Sequence, residues 1–308
     1  MRAEQTRPGR RQWLGTALGG VAALGSVAPL GVLAQASAPR KQTGRSPRLA
    51  VVLGGGSARG FAHIGVIKAL EGFDIKPDAI FGCSAGALVG AFWAAGFSGS
   101  TMEALAYRVR DDDVIDLVTG NTASRRGIVS GVSLQRFVNS NLNNRSIEGM
   151  LTPFRAVATR YPSGELAVFR AGDTGFAVRA SCSIPGVFIP AMSQGQEYLD
   201  GGLVSPMPVQ AARDEGFDLV VAVDVGGPDP GEAKDASGGL YQLLLRSFDI
   251  MGQSLRRQEG LRADVLIRPD VSRISSTDFM ARRALVDAGF AAAQRLAPVI
   301  QEKLKARR

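Results

Sequence analysis

Residues 48–72 read RLAVVLGGGSARGFAHIGVIKALEG, and this stretch decides how the rest of the chain folds. Leu49 to Leu53 is an apolar run without alternation that stops at three glycines, the signature of a short strand buried on both faces. Apolar residues at helical spacing follow from Phe61. A strand entering a helix through a glycine corner is half of a β–α unit, and such units build parallel sheets covered by helices. The alternation continues along the chain. Asp78 to Phe81 is a second short strand, and ALVGAFWAAG (87–96) a second, almost wholly apolar helix. FRAVATRYPSGELAVFRAGD (154–173) reads as a hairpin that turns at Pro162-Ser163-Gly164. DLVVAVDVG (218–226) and ADVLIRPD (263–270) are further buried strands. A last helix is expected from about Asp278 to Lys305, with Val286, Phe290, Ala293, Ala297, Ile300 and Leu304 in one apolar stripe and Pro298 kinking or restarting it. Residues 100–150 read as a more polar, mainly helical insert. The fold class is α/β, with a mostly parallel central sheet covered on both faces.

Composition narrows the function. The 308 residues are 45% hydrophobic and 21% charged, an ordinary globular balance. The net charge of +8 includes four Arg and one Glu in residues 1–38, which leaves 32 basic against 27 acidic groups, or +5, for the remainder. With 6% aromatics and no basic run interleaved with aromatics, nucleic acid is excluded as the expected partner. Two cysteines, Cys83 and Cys182, are too few for a disulfide framework, and a single histidine leaves no structural zinc set.

The N-terminal 38 residues read as an export signal. Arg10-Arg11-Gln12-Trp13-Leu14 resembles a twin-arginine motif, followed by an uncharged Gly- and Ala-rich stretch and the small-residue sites Ala34-Gln35-Ala36 and Ala36-Ser37-Ala38. The expectation is translocation by the twin-arginine machinery to the periplasm, with an uncleaved membrane anchor as the alternative. Residues 39–47 read as a polar linker, and 48–308 as one catalytic-size domain.

Two glycine corners carry the chemistry. Gly54-Gly55-Gly56-Ser57-Ala58-Arg59-Gly60 lacks the third glycine of a dinucleotide fingerprint and the Gly-Lys-Ser/Thr of a phosphate loop. Backbone N–H groups at such a corner serve equally well for the oxyanion of an acyl-transfer intermediate. Gly82-Cys83-Ser84-Ala85-Gly86 has the spacing G-x-S-x-G, which lets a serine sit on a strained strand-to-helix turn. The pentapeptide alone is weak evidence in a chain with 38 glycines. The strand before it, the apolar helix after it and the glycine loop on the preceding strand strengthen it.

A serine hydroxyl needs a base. His63 precedes Ser84, against the Ser–acid–His order of the hydrolase triads, so it reads as a structural residue or one that shapes the glycine loop. Asp200 in YLDGGLVSPMP is the carboxylate candidate, although Asp-Gly-Gly by itself is also an ordinary turn. Phe61, Ile64, Phe92 and Trp93 are candidates to cover an acyl chain, against plain core packing at the same spacing.

GGGSARG, GCSAG and DGG in this order, with SARGFAHIGVIKALE and SCSIPGVFIP around them, resemble the patatin-like phospholipases of the compact bacterial type. The resemblance covers Arg48 to the C-terminus. It implies a three-layer α/β/α sandwich that hydrolyses acyl esters of phospholipids, lysophospholipids or related lipids without metal or cofactor. By the same resemblance Ser84 is the nucleophile, Asp200 its base and later acid, and the N–H groups of Gly54-Gly55-Gly56 form the oxyanion hole with Arg59 in the same loop. The expected partner is a lipid substrate or membrane surface. A short-chain esterase or acyltransferase of the same mechanism, and a non-catalytic lipid- or phosphate-binding protein, are the alternatives.

Overall fold

The computed structural model describes residues 46–118, 126–227 and 240–307. The expected export signal, and the linker as far as residue 45, lie outside the described residues. Among the described residues no helix is long and apolar enough to cross a membrane.

In chain order the first half contains β1 (Leu49–Leu53), α1 (Phe61–Gly72), β2 (Ala79–Cys83), α2 (Ala85–Ala94), α3 (Gly99–Arg108), α4 (Asp111–Val114), β3 (Gly127–Val129) and α5 (Val132–Asn141). The second half contains β4 (Phe154–Tyr161), β5 (Leu166–Phe169), α6 (Thr174–Ser181), β6 (Gly186–Phe188), β7 (Ala191–Ser193), β8 (Gln196–Asp200), α7 (Val209–Asp214), β9 (Leu219–Val223), α8 (Leu240–Gly260), β10 (Val265–Ile267) and α9 (Arg282–Ala306).

The strand order β10-β9-β1-β2-β4 is parallel throughout, and β5, β8 and β7 add antiparallel strands beyond it. Every residue of β1, β2 and β9 is buried, which explains their unbroken apolar sequences. Alternate residues serve opposite layers. Leu49, Val51 and Leu53 join a core with α1, α2 and α9, while Ala50 and Val52 join a second core with Met207, Val209 and Ala212 around α7. The last turn of α8 lies over Met207 and Leu266 on this second face. The architecture is the expected three-layer α/β/α sandwich.

Two readings shift in detail. The 100–150 insert is mainly helical but contributes β3, which pairs with β6 in a separate two-stranded parallel sheet. On α9 the stripe turns by about one residue. Val286, Ala293, Ala297 and Ile300 are buried, but Phe290 is 38% exposed and Gly289 faces α1 in its place. A Cβ on Gly289 would lie 1.9 Å from the Ala62 carbonyl oxygen, and one on Gly65 would lie 1.8 Å from that of Val286. Backbones that touch at a helix crossing leave no space for a phenyl ring. Helix α9 runs unbroken through Pro298, so no restart occurs there.

One feature of β4 positions the site. Its first half pairs with β2, from Ile80↔Phe154 to Cys83↔Val157, and its second half with β8, from Ala158↔Asp200 to Tyr161↔Glu197. Strand β5 pairs with Ala156 to Thr159, across both halves, and so occupies the other edge. Strands β2 and β8 therefore share one edge of β4 and run toward each other, and their C-terminal ends meet between Val157 and Ala158.

Candidate active site

Ser84 follows β2 directly and caps α2, with φ 52° and ψ −124°. A non-glycine residue held at positive φ carries strain of roughly 1–3 kcal/mol and persists only where its surroundings over-determine it. Here they do. A Cβ on Gly82 would sit 2.5 Å from the Ala87 Cα, and one on Gly86 would sit 2.1 Å from the Leu53 carbonyl oxygen, so only glycine permits so tight a corner. The Ser84 N–H donates to Ser181 Oγ at 2.8 Å, and Ser181 Oγ donates to the Val157 carbonyl at 2.6 Å. Ser181 thus rivets the corner to β4.

Asp200 is the last residue of β8. Its N–H donates to the Ser183 carbonyl at 2.8 Å, and its own carbonyl accepts from Thr159 Oγ1 at 2.8 Å. Oδ1 accepts the Gly202 N–H at 2.7 Å, and Oδ2 accepts Ser84 Oγ at 2.7 Å. The first glycine of Asp-Gly-Gly is needed for close approach, since a Cβ on Gly201 would lie 2.5 Å from the Val157 carbonyl oxygen. Asp200 is 6% exposed and Ser84 7%. Burial raises the Asp200 pKa from 3.8 to about 6, against the opposing hydrogen bonds from Gly202, Ser84 and Cys83. Its basicity is therefore greater than that of a carboxylate in water. Cys83 and Cys182 are buried free thiols whose pKa values burial pushes up.

The glycine loop wraps this corner. A Cβ on Gly55 would lie 3.4 Å from the Ser84 Cβ, and one on Gly60 would overlap the Ala85 Cβ at 2.4 Å. Its amides are not equivalent, which corrects the sequence-based expectation. Gly54 N–H donates to the Val223 carbonyl at 3.0 Å and Gly55 N–H to the Pro206 carbonyl at 2.9 Å. An amide already hydrogen-bonded inside the fold is not available to an incoming oxyanion. Among the described residues the amides of Gly56, Ser57 and Ala85 have no such partner. The Arg59 side chain is also engaged, with Nε donating to the Ile274 carbonyl at 2.8 Å and a terminal nitrogen to that of Gly226 at 3.0 Å. It ties the loop to its neighbours.

His63 is fully buried, and burial lowers its pKa to about 4 despite the opposing Gly54 bond and the charge of Asp224. The ring is neutral at ordinary pH. Its Nε2–H donates to the Gly54 carbonyl at 2.8 Å, so it shapes the glycine loop. Ile64, Phe92 and Trp93 are core residues, with Phe92 edge-on to Phe97 at 5.2 Å, and Phe61 lies under the Arg282 guanidinium.

Sequence reading missed Ser181, Thr159 and Ser183. Thr159 stands between Ala158 and Arg160 on β4, and Ser181 and Ser183 flank Cys182 at the end of α6, so no local pattern marks them; their hydrogen bonds to Ser84, Val157 and Asp200 appear only in the folded chain. The assembled site holds a buried hydroxyl on a buried carboxylate of raised basicity, with unpartnered amides beside them. That set of groups can attack a carbonyl carbon and hold the oxyanion that forms.

A family model described as Patatin-like phospholipase matches residues 51–213. An uncharacterized NTE family protein of Mycobacterium tuberculosis is 35% identical over 209 residues, 65% of this chain and 55% of that one. Lysophospholipase NTE1 of Cryptococcus neoformans is 34% identical over 200 residues, 61% of this chain and 12% of that one. The chain thus spans about half the length of the mycobacterial relative and a small part of the fungal one. Among solved structures, VipD from Legionella pneumophila superposes with a TM-score of 0.48 at 14% identity, over 83% of this chain and 67% of that one.

Proposed function

The chain belongs to the patatin-like phospholipase family, and from that premise we propose that it is a serine acyl hydrolase acting on acyl esters of phospholipids, lysophospholipids or related lipids. The observation that carries the reading is the 2.7 Å hydrogen bond from Ser84 Oγ to Asp200 Oδ2 at the strained corner. In the proposed reaction Ser84 Oγ attacks the ester carbonyl carbon while its proton passes to Asp200. The oxyanion of the tetrahedral intermediate accepts hydrogen bonds from the amides of Gly56, Ser57 and Ala85. Collapse breaks the bond to the alcohol, which leaves with the proton from Asp200, and Ser84 retains the acyl group. Asp200 then takes a proton from water, hydroxide adds to the acyl carbon, and the second collapse returns the proton to Ser84 Oγ and frees the acid.

An organophosphonate probe tests the nucleophile. It should label wild type at Ser84 and leave Ser84→Ala unlabelled; labelling at any other residue of the wild type refutes the assignment. Transfer of the acyl group to an alcohol in place of water would make the same site an acyltransferase, and product analysis with and without added alcohol separates the two. For location we propose export through the twin-arginine route. Replacing Arg10 and Arg11 by lysine should leave the precursor in the cytoplasm, and unchanged export counts against that route.

A further inference from the structure

We infer that Glu259 is a positioning residue for acyl transfer at Ser84, acting through the segment Ser205–Met207 on the glycine loop. The inference rests on the reading of Ser84 as nucleophile given above.

Glu259 lies in the last turn of α8 and is only 8% exposed. One carboxylate oxygen accepts Ser205 Oγ at 2.5 Å and the other accepts the Met207 N–H at 2.8 Å. Between those two residues stands Pro206, which has no N–H to donate. Its carbonyl accepts the Gly55 N–H at 2.9 Å, and Gly55 packs against the Ser84 side chain. Glu259 therefore grips both neighbours of the one carbonyl that holds the middle glycine of the loop. The upstream end of the same segment is tied to the other half of the site. Ser205 N–H donates to the Gly201 carbonyl at 2.8 Å, and Gly202 N–H donates to Asp200 Oδ1. A single side chain thus fixes the spacing between the turn that carries Asp200 and the loop that presents the Gly56 amide.

The opposite flank of the loop has its own support. Gly54 is held by the end of β9 through the Val223 carbonyl. Arg256, one turn before Glu259, binds Asp224 at 3.2 Å and the Gly226 carbonyl at 3.3 Å. On the Ser205–Met207 side the two hydrogen bonds to α8 described above are accepted by Glu259. Burial raises the Glu259 pKa to about 7, against Ser205, Met207 and Arg262, which marks a carboxyl group kept out of water at a cost.

The test uses the full chain and a soluble ester. Glu259→Ala should lower kcat by about 10- to 100-fold with KM within about twofold, the range expected when catalytic groups shift by a fraction of an ångström to an ångström. The rate of organophosphonate labelling at Ser84 should fall in parallel. Glu259→Gln should recover kcat to within about threefold, because its amide can accept from Met207 and donate to Ser205. A residue with only a structural role would lower the folded fraction and leave the kcat of the folded enzyme intact. Ser205→Ala removes one of the two bonds and should give an intermediate loss; it decides the matter should Glu259→Ala fail to fold. An unchanged kcat in folded Glu259→Ala or Ser205→Ala, or a Gln variant as slow as the Ala variant, overturns the inference. A wild type that hydrolyses the ester but is not labelled at Ser84 overturns the nucleophile assignment instead, so the two failures are distinct.

Discussion

Replacing Asp200 by asparagine should abolish turnover and at the same time stabilise the fold at neutral pH. The carboxyl group ionises at 3.8 in an unfolded chain and at about 6 in the buried site. Well below pH 3.8 both states hold the proton, and the folded state keeps the full benefit of a neutral group. As pH rises from 4 to 6 the unfolded chain releases its proton first, so folding loses free energy. Above pH 6 the loss is complete, and the displacement corresponds to about 3 kcal/mol. About 2.5 kcal/mol of this falls between pH 4 and pH 7.5, so at roughly 2–4 °C per kcal/mol for a domain of this size the melting temperature of wild type should fall by about 5–10 °C relative to Asp200→Asn over that interval. Only the difference between the two proteins counts, because other titrating groups cancel in it. Over the same interval kcat/KM of wild type should rise and level off above pH 6, as the base ionises. The asparagine variant should stay at least about 100-fold slower at every pH. Melting curves and initial rates on one pH series read both quantities. Stability differences that stay constant from pH 4 to pH 7.5 would show that burial does not raise the Asp200 pKa, and the account of its basicity would fall with it.

Two further outcomes follow from the supports of the corner. His63→Gln should keep activity within about tenfold and leave the break in the rate profile near pH 6, since the imidazole is already neutral there; a break that moves or vanishes would assign the base to His63. Ser181→Ala leaves the Ser84 N–H and the Val157 carbonyl without their partner in a buried site. It should cost about 3 kcal/mol in denaturant unfolding and slow phosphonate labelling of Ser84 by more than about tenfold, and labelling at the wild-type rate would deny Ser181 its role in holding the corner.

Much of the sandwich was legible because its central strands are buried on both faces. LAVVL and LVVAV can be little else than strands in such a layer, and the glycines after β1 and around Ser84 mark where the chain must turn tightly. Strands β7 and β8 were not legible. AMS and QEYLD are short and partly polar, and they become strands only because β4 offers them an edge. Asp200 was found by its glycines, although its place at a strand end was not. The loop amides illustrate a different limit. Gly54, Gly55 and Gly56 are chemically identical, and what separates them is which carbonyl of a distant segment lies opposite each one. Phe290 failed for a related reason, because helical periodicity predicts a stripe but not where two backbones will touch.

Ser84 and Asp200 are separated by 116 residues, yet the length of that segment does not set their distance. The spacing is set by Val157 and Ala158, neighbours on β4 whose Cα atoms are about 3.8 Å apart. The chain therefore has one region open to grafting and one closed to it. The 99–150 segment lies between α2 and β4, after Ser84 and outside the register that sets the pair, so a change of length in its exposed turns leaves Ser84 and Asp200 in place as long as its core residues Met102, Leu134, Val138 and Ile147 are kept. A single residue added or removed within β4 would slide one partner past the other and reverse which way its side chain points. Because Phe154, Ala156, Val157 and Ala158 are fully buried, insertion or deletion of one codon in β4 would break the pair and the core together, whereas the same change in an exposed turn of 99–150 would leave both intact.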